Sequence, residues 1–218
     1  MTIPISNFYP AVQREAAGFP QPLIKDSVIR AIREFCRETY IYKLDLAPVT
    51  LIKNKMDYRI NQPDGHRVLS IVAMRNANGN KVFSRSEDEL DDSFSNWRDR
   101  TGEYATDFVQ EDPTSFRIIP VPTVTVSKGL KDIRGAVMPE LTAIEVDDLF
   151  EDEYDEAIKD GALKRILSMT GKAWFEPEMA SMHAGLFRGA INKAKIDVAR
   201  GHSNARRRPR KRKLKGAP

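Results

Sequence analysis

The sequence predicts an α+β protein: a helical bundle of one N-terminal and two C-terminal helices, with an inserted small antiparallel β module and extended termini. Three observations predict this fold. Apolar residues recur at helical spacing near the N-terminus and again over residues 139–201, they alternate with a period of two in between, and neither pattern reaches the chain ends. The predicted units are an extended arm (1–21), the bundle (22–40 and 139–201), the β module (41–138) and a basic tail (202–218).

The arm is predicted from its turn residues, which include Pro4, Pro10 and Gly18. It also carries aromatic residues, Phe8 and Tyr9 among them. Such an arm packs either on its own chain or on a neighbouring subunit, and the sequence leaves both possibilities open.

The first helix is predicted over Pro22–Thr39, because proline is tolerated in a first turn. Its apolar residues have the spacing of a single buried stripe: Ile24, Val28, Ala31, Ile32 and Phe35. Cys36 is interpreted as a small buried filler next to this stripe.

The β module is predicted from alternating segments such as Met56–Tyr58–Ile60 and Phe116–Ile118. Residues 68–74 are apolar on both faces, so they are expected to form the central strand. A capping box formed by Ser86 and Glu89 predicts a short helix through Asp92.

Two helices are predicted after the β module. Seven of the ten residues 147–156 are acidic, which favours the start of a helix through its dipole. Gly161 lies inside that helix, where it costs about 1 kcal/mol relative to alanine, so we expect a close helix contact there. The last helix is predicted over Pro177–Arg200, about 36 Å long, with one apolar stripe that includes Met182, Leu186, Phe187 and Ile191.

The charge is unevenly distributed along the chain. The formal net charge is +4, from 35 basic and 31 acidic residues. Eight basic residues lie close together near the C-terminus: Arg206, Arg207, Arg208, Arg210, Lys211, Arg212, Lys213 and Lys215. Without these eight, 27 basic residues face 31 acidic ones, so the rest of the chain carries a formal charge of −4. An acidic body with a basic tail suggests two partners, or one chain that bridges two surfaces.

The basic tail has no aromatic residue between its charges, so base stacking is not expected. It is predicted to stay disordered until a partner binds it. The functional interpretation is sequence-independent binding to nucleic acid or to an acidic protein surface. The alternatives are a solubilising tail and a nuclear-localisation signal.

Sequence motifs of enzymes are missing. The chain has no phosphate-binding loop, no dinucleotide fingerprint and no nucleophile elbow. Its three histidines are not spaced as metal ligands: His66 is expected to be exposed, His183 structural, and His202 part of the tail. The acidic stretches 87–92 and 147–156 lack the pattern of a calcium loop. We therefore expect no enzymatic activity, no cofactor and no bound metal, and the longest apolar run is too short to cross a membrane.

The C-terminal half resembles a known family. The residues that carry the resemblance form a helix, a Gly-Ala-Leu step, a tryptophan and a long helix: Leu149, Phe150, Tyr154, Ala157, Ile158, Gly161, Ala162, Leu163, Arg165, Ile166, Leu167, Lys172, Trp174, Phe187, Ile191 and Ala194. The early helix adds Ile29, Arg30 and the run 35–39. Over about residues 22–60 and 110–200, the chain resembles the head-to-tail adaptor (neck or head-completion) proteins of tailed bacteriophages.

The resemblance implies a structural virion protein at the head–tail neck, assembled in the host cytoplasm. It implies a ring of twelve copies that contacts the portal protein and the tail or nozzle proteins, with the genomic DNA passing through it. Eight residues are expected to form its helix-packing signature: Tyr154, Ile158, Gly161, Ala162, Leu163, Trp174, Phe187 and Ile191. The basic tail is expected to reach the portal or the DNA. Two alternatives stay open: a nucleic-acid-binding protein that acts through its tail, and another structural component of the tail or neck.

Overall fold

A computed structural model describes residues 1–15, 18–94 and 96–201 of the chain. The helices within these ranges are α1 (Tyr9–Glu15), α2 (Gln21–Thr39), α3 (Glu87–Ser93), α4 (Leu149–Asp152), α5 (Asp155–Leu167) and α6 (Pro177–Arg200). The strands are β1 (Thr2–Pro4), β2 (Lys43–Leu46), β3 (Val49–Leu51), β4 (Asp57–Arg59), β5 (His66–Asn76), β6 (Phe83–Ser84), β7 (Thr101–Gly102), β8 (Asp107–Asp112), β9 (Ser115–Ile119), β10 (Val121–Pro122), β11 (Val126–Pro139) and β12 (Glu145–Asp147).

Helix α2 lies at the centre of the molecule, between a β-sheet and the two C-terminal helices. It contacts α5 and α6 on one side and β11 on the other. The predicted stripe of α2 is buried, but so are Ile29 and Cys36. At about 100° of rotation per residue, Ile29 lies well to one side of Val28, so the buried surface is wider than one stripe. This breadth allows α2 to face two layers at once.

The main sheet is organised around β11, the longest strand described. Strands β2 and β3 pair antiparallel with one edge of β11, and β5 pairs antiparallel with the other. A second sheet has the order β4-β9-β8-β6. The two short pairs are β1 with β12 and β7 with β10.

The predicted helical bundle with one small β module is wrong, although the α+β class is correct. The described residues contain several sheets, and one continuous apolar core joins α2, α5 and α6 to residues of both four-stranded sheets, such as Val137 and Phe116. The sheet is therefore a layer of the core and not a projection from a bundle. The pattern of α2 was interpreted as one stripe, which suggested helical partners only.

The prediction of an extended N-terminal arm is also wrong. Residues 1–15 form β1, a 3₁₀ turn at Ile5–Phe8 and α1. Ile5, Phe8 and Val12 are buried in the main core, and β1 pairs with β12. The aromatic arm packs on its own chain, because these apolar side chains fill space beside α2 and α5.

Residues 68–74 do not form the central strand, which is β11. Strand β5 pairs with β11 along one edge, and Val72 is half exposed. Glutamine side chains satisfy two backbone amides of β5. Gln62 accepts a hydrogen bond from the Val68 amide (2.6 Å), and Gln110 accepts one from the Ile71 amide (2.8 Å). An edge strand can be rich in apolar residues when side chains satisfy its free amides.

The predicted helices are confirmed where their signals are local. Helix α2 begins one residue before the predicted Pro22, and α6 has its predicted bounds. Helix α3 begins with the predicted capping box, in which the Ser86 hydroxyl accepts from the Glu89 amide and Glu89 accepts from the Ser86 amide. These signals need only residues that are near in sequence.

Candidate assembly surfaces

The eight residues of the helix-packing signature lie at the junction of α2, α5 and α6. Ile158, Ala162, Leu163, Phe187 and Ile191 are buried in the main core. Tyr154 and Trp174 pack against it from its edges. The Tyr154 ring lies 4.8 Å from that of Phe35, and the Trp174 ring lies 5.4 Å from that of Phe19, measured between centroids.

Gly161 marks the closest approach of the three helices. A Cβ atom at this position would lie 2.8 Å from the Ala31 Cβ of α2 and 2.8 Å from the Phe187 Cε2 of α6. Real Cβ atoms do not approach other atoms so closely. The close helix contact expected at this glycine is therefore confirmed.

Polar contacts join the same helices. Glu34 of α2 accepts a hydrogen bond from Lys164 (2.6 Å) and another from Arg165, both on α5. Burial raises the pKa of Glu34, but the hydrogen bonds and charges of these two partners lower it by more, so the net pKa of Glu34 lies below its usual range.

The two histidines of the described residues are both hydrogen-bonded. His183 is buried, with its Nδ1 2.8 Å from Asp160 Oδ1, which confirms its structural interpretation. His66 is partly buried and bonded to the Tyr42 hydroxyl, so the expectation of exposure is wrong.

Cys36 is buried, as expected for a filler. Its burial raises the pKa of the thiol above the usual range, with Arg33 acting in the opposite direction. Burial with a raised thiol pKa is typical of a structural cysteine.

Helix α6 carries a second apolar stripe that faces solvent. Its buried side consists of Ala180, His183, Phe187, Ile191 and Ala194. On another side, Met182, Leu186 and Ile196 are 46%, 53% and 50% exposed. With Gly189 and Lys193 between them, they follow a spacing of four and three residues, which keeps them on one face. We call these five positions the outer stripe of α6.

The sequence analysis assigned Met182 and Leu186 to the buried stripe, which is wrong. A long helix packed on one side only can be apolar on two faces, and spacing alone does not say which face is covered. The outer stripe is therefore a surface that sequence reasoning missed. Its signal was present in the surplus of apolar residues over the number that one stripe needs.

An acidic surface adjoins α6. The segment from Asp147 to Glu156 runs from β12 through α4 into the first turn of α5. Burial and the neighbouring charges of Glu156 and Glu151 raise the pKa of Asp155. Burial and the negative charges of Glu153 and Asp197 raise the pKa of Tyr154 to about 12. Burial is the larger cause of both shifts, and the neighbouring carboxylates add to it.

The chain matches the family model described as SU10 adaptor protein over residues 5–211. The chain belongs to the SU10 adaptor family. No curated protein matches it.

Membership of the SU10 adaptor family indicates that this chain is a phage adaptor-type protein. It implies a structural role and interaction with other head or tail components, as expected for a component of the virion. The matched range covers every described helix and most strands of the fold, together with part of the basic segment.

The basic segment of this SU10 adaptor family member lies outside the described residues. The positions concerned are Arg206, Arg207, Arg208, Arg210, Lys211, Arg212, Lys213 and Lys215. Their predicted contact with the portal or with DNA stays a prediction, and so does the expectation for His202.

Within the ranges 1–15, 18–94 and 96–201, no three side chains of the metal-binding types come together as a metal site. In the same ranges, no helix is both long and apolar enough to cross a membrane. The acidic side chains of the 147–156 segment are instead distributed along a surface.

Proposed function

We propose that this member of the SU10 adaptor family forms a ring of twelve copies that joins the capsid portal to the tail and surrounds the path of the DNA. We further propose that the role is structural, without catalysis or a cofactor. Family membership supports the adaptor role. The resemblance to head-to-tail adaptors supports the ring and its position in the neck, and the lack of catalytic sequence motifs supports a structural role.

The observation that carries the proposal is the outer stripe of α6. Three large apolar side chains at about half exposure on one helix face are costly to leave in water, at roughly 25 cal/mol per Å² of apolar surface. Met182 and Leu186 are neighbours on this face, whereas Lys193 lies between Leu186 and Ile196. Exposed apolar side chains that adjoin one another occur at protein–protein contacts. In a ring, one face of each copy packs against a different face of its neighbour, so the outer stripe would supply one side of every contact.

The stripe is tested by replacing Leu186, one of its three large apolar side chains, with a charged residue. Leu186→Arg should prevent ring formation, because a buried unpaired guanidinium would replace an apolar contact. Asn192→Arg is the matched control, since Asn192 is exposed on the same helix outside the stripe. The readout is particle mass by native mass spectrometry, for the chain alone and after addition of purified portal protein.

We expect rings from the original chain and from Asn192→Arg, and monomers of unchanged melting temperature from Leu186→Arg. If Leu186→Arg assembled as well as the control, the outer stripe would not be the subunit contact.

The partners are tested by a tagged pull-down from infected cells with nuclease treatment and high-salt washes. Portal and tail proteins recovered in near-equal copy number would support the bridging role. Recovery of the tagged chain alone would contradict it.

A second candidate function is nucleic-acid binding through the basic tail. Eight basic residues within ten positions, against a formal charge of −4 for the rest of the chain, favour this alternative. If most of these charges met phosphates, the logarithm of the affinity would fall with the logarithm of salt at a slope of several units. A chain ending at Gly201 should lose this binding. If the tail contacts only protein, neither the full chain nor the truncated chain should bind nucleic acid.

A further inference from the structure

A groove of about 600 Å³ lies at the C-terminal end of α6. Its walls come from the segment after α2, from β11, from the end of β12 and the start of α4, and from Val198 and Gly201 at the C-terminal end of α6. We call it the C-terminal groove. Its size is that of a pocket for several side chains.

The groove combines an apolar surface with an acidic rim. Ile41, Leu149 and Val198 contribute apolar surface. Four carboxylates also line it: Asp147, Asp148, Asp152 and Glu153. The combination suits side chains that have an aliphatic stem and a cationic end, as arginine and lysine do.

Two of the four carboxylates are available for a cationic partner. Asp148 already meets the N-terminal ammonium group at 3.2 Å, and the Asp147 carboxylate accepts from the Leu149 amide. Asp152 and Glu153 are exposed, and neither forms an ion pair within the described part of the chain. An exposed carboxylate can accept a guanidinium through two parallel charge-assisted hydrogen bonds.

Two cationic side chains also line the groove. Arg134 lies 3.7 Å from Asp45, and Lys43 lies near the end of α2. With the N-terminal ammonium group on Asp148, three cationic groups meet four carboxylates, and Arg134 already has Asp45 as a partner. The negative potential is visible at Tyr42, whose pKa is raised to about 12 by burial and, next, by the charge of Asp147.

The chain leaves α6 at this groove. Gly201 ends the helix in a left-handed conformation (φ 67°) and lines the groove itself. Arg206 follows five residues later, and five residues span at most about 17 Å. The basic segment Arg206–Lys215 therefore begins within reach of the acidic rim.

We propose that the basic segment Arg206–Lys215 occupies the C-terminal groove of its own chain while the protein is free of other partners. The charges are complementary, the groove has apolar surface for the side-chain stems, and the segment starts at its edge. Each exposed ion pair contributes little by itself. Because the segment is tethered, however, its effective concentration at the groove is in the millimolar range, which makes several weak pairs sufficient.

The consequence is a masked tail. A docked basic segment is withheld from nucleic acid until a more strongly acidic surface competes for it. This inference does not depend on ring formation or on a portal partner, since it concerns the free chain alone.

The first test is zero-length carbodiimide cross-linking of the full chain at low salt. We expect amide bonds from Lys211, Lys213 or Lys215 to Asp152 or Glu153, and their loss in about 0.5 M salt, where the Debye length falls to a few ångströms. A mixture of ¹⁴N- and ¹⁵N-labelled chains distinguishes the sources. Cross-links within one isotope support docking on the same chain, whereas mixed-isotope cross-links, or none at the groove, would overturn it.

The second test compares two double variants that remove the same number of charges. Asp152→Asn with Glu153→Gln neutralises the groove, and Asp88→Asn with Asp92→Asn removes two exposed acids of α3 as a control. The probe is a short random-sequence DNA duplex, followed by fluorescence anisotropy. We expect the groove variant to bind three- to tenfold more tightly than the control variant, because its tail is released. Equal affinities, with both variants folded by circular dichroism, would contradict the masked tail.

Discussion

Gly161 shows how one missing side chain determines the distance between helices. The space that a Cβ atom of residue 161 would need is occupied by Ala31 of α2 and Phe187 of α6. Gly185, on the outside of α6, has no atom within 4 Å of the same position. The two glycines therefore make a matched pair for mutation to alanine.

We predict that Gly161→Ala lowers the free energy of unfolding by about 1–3 kcal/mol, since overpacking forces the helices apart. Gly185→Ala should raise it by up to about 1 kcal/mol, because alanine has the higher helix propensity and meets no obstacle. Chemical denaturation of the two variants measures both. If Gly161→Ala were as stabilising as Gly185→Ala, the close contact would not exist in solution.

The ion pairs of Glu34 should make the free energy of unfolding depend on pH. Its pKa is lower in the folded protein than in the unfolded chain, so its contribution is present above the unfolded pKa of about 4.3 and is lost as the pH falls through the folded pKa. Glu34→Gln should cost about 1 kcal/mol at pH 7, a modest value because the carboxylate is partly exposed. The difference from the original chain should shrink as the pH falls below about 4.3.

Urea denaturation at pH 7 and at pH 3 tests this. Glu38→Gln is the control, because Glu38 pairs with Lys195 of α6 at a more exposed site and should cost less. A cost for Glu34→Gln that is unchanged at pH 3 would show that the ion pairs with Lys164 and Arg165 are not its source.

At the scale of elements, local signals and long-range pairing behave differently. The capping box of α3 was predictable, because Ser86 and Glu89 need only each other to begin the helix. Strand β11 was not recognised as one long strand. Its pairing register shifts several times, and Lys128 and Asp132 adopt positive φ angles, so the alternation of apolar residues is interrupted.

We predict that Ser86→Ala destabilises the protein by about 1 kcal/mol, because it removes the side-chain cap on the Glu89 amide. The loss should be visible as faster hydrogen exchange in α3. Ser93→Ala, at the other end of the same helix, is the control and should leave that exchange nearly unchanged. Equal effects from the two substitutions would mean that the cap does not stabilise α3.

At the scale of the molecule, the continuous core predicts cooperative unfolding. The same cluster contains Ile158 of α5, Val137 of β11 and Phe116 of β9. Amides of α5 and of β8–β9 should therefore exchange through one global opening, with equal free energies and equal denaturant dependence. Hydrogen exchange in increasing denaturant measures this, and a lower opening energy for β8–β9 would favour a β module that unfolds separately.

The sequence by itself determined what depends on neighbours along the chain: the bounds of α2 and α6, the cap of α3, the need for a close contact at Gly161 and the separation of charge between body and tail. Only the tertiary structure decided which faces are covered. It buried the N-terminal residues, placed β11 rather than β5 at the centre, and left Met182 and Leu186 exposed. Spacing identifies the faces of a helix, but the surface that covers each face comes from residues far away in the chain.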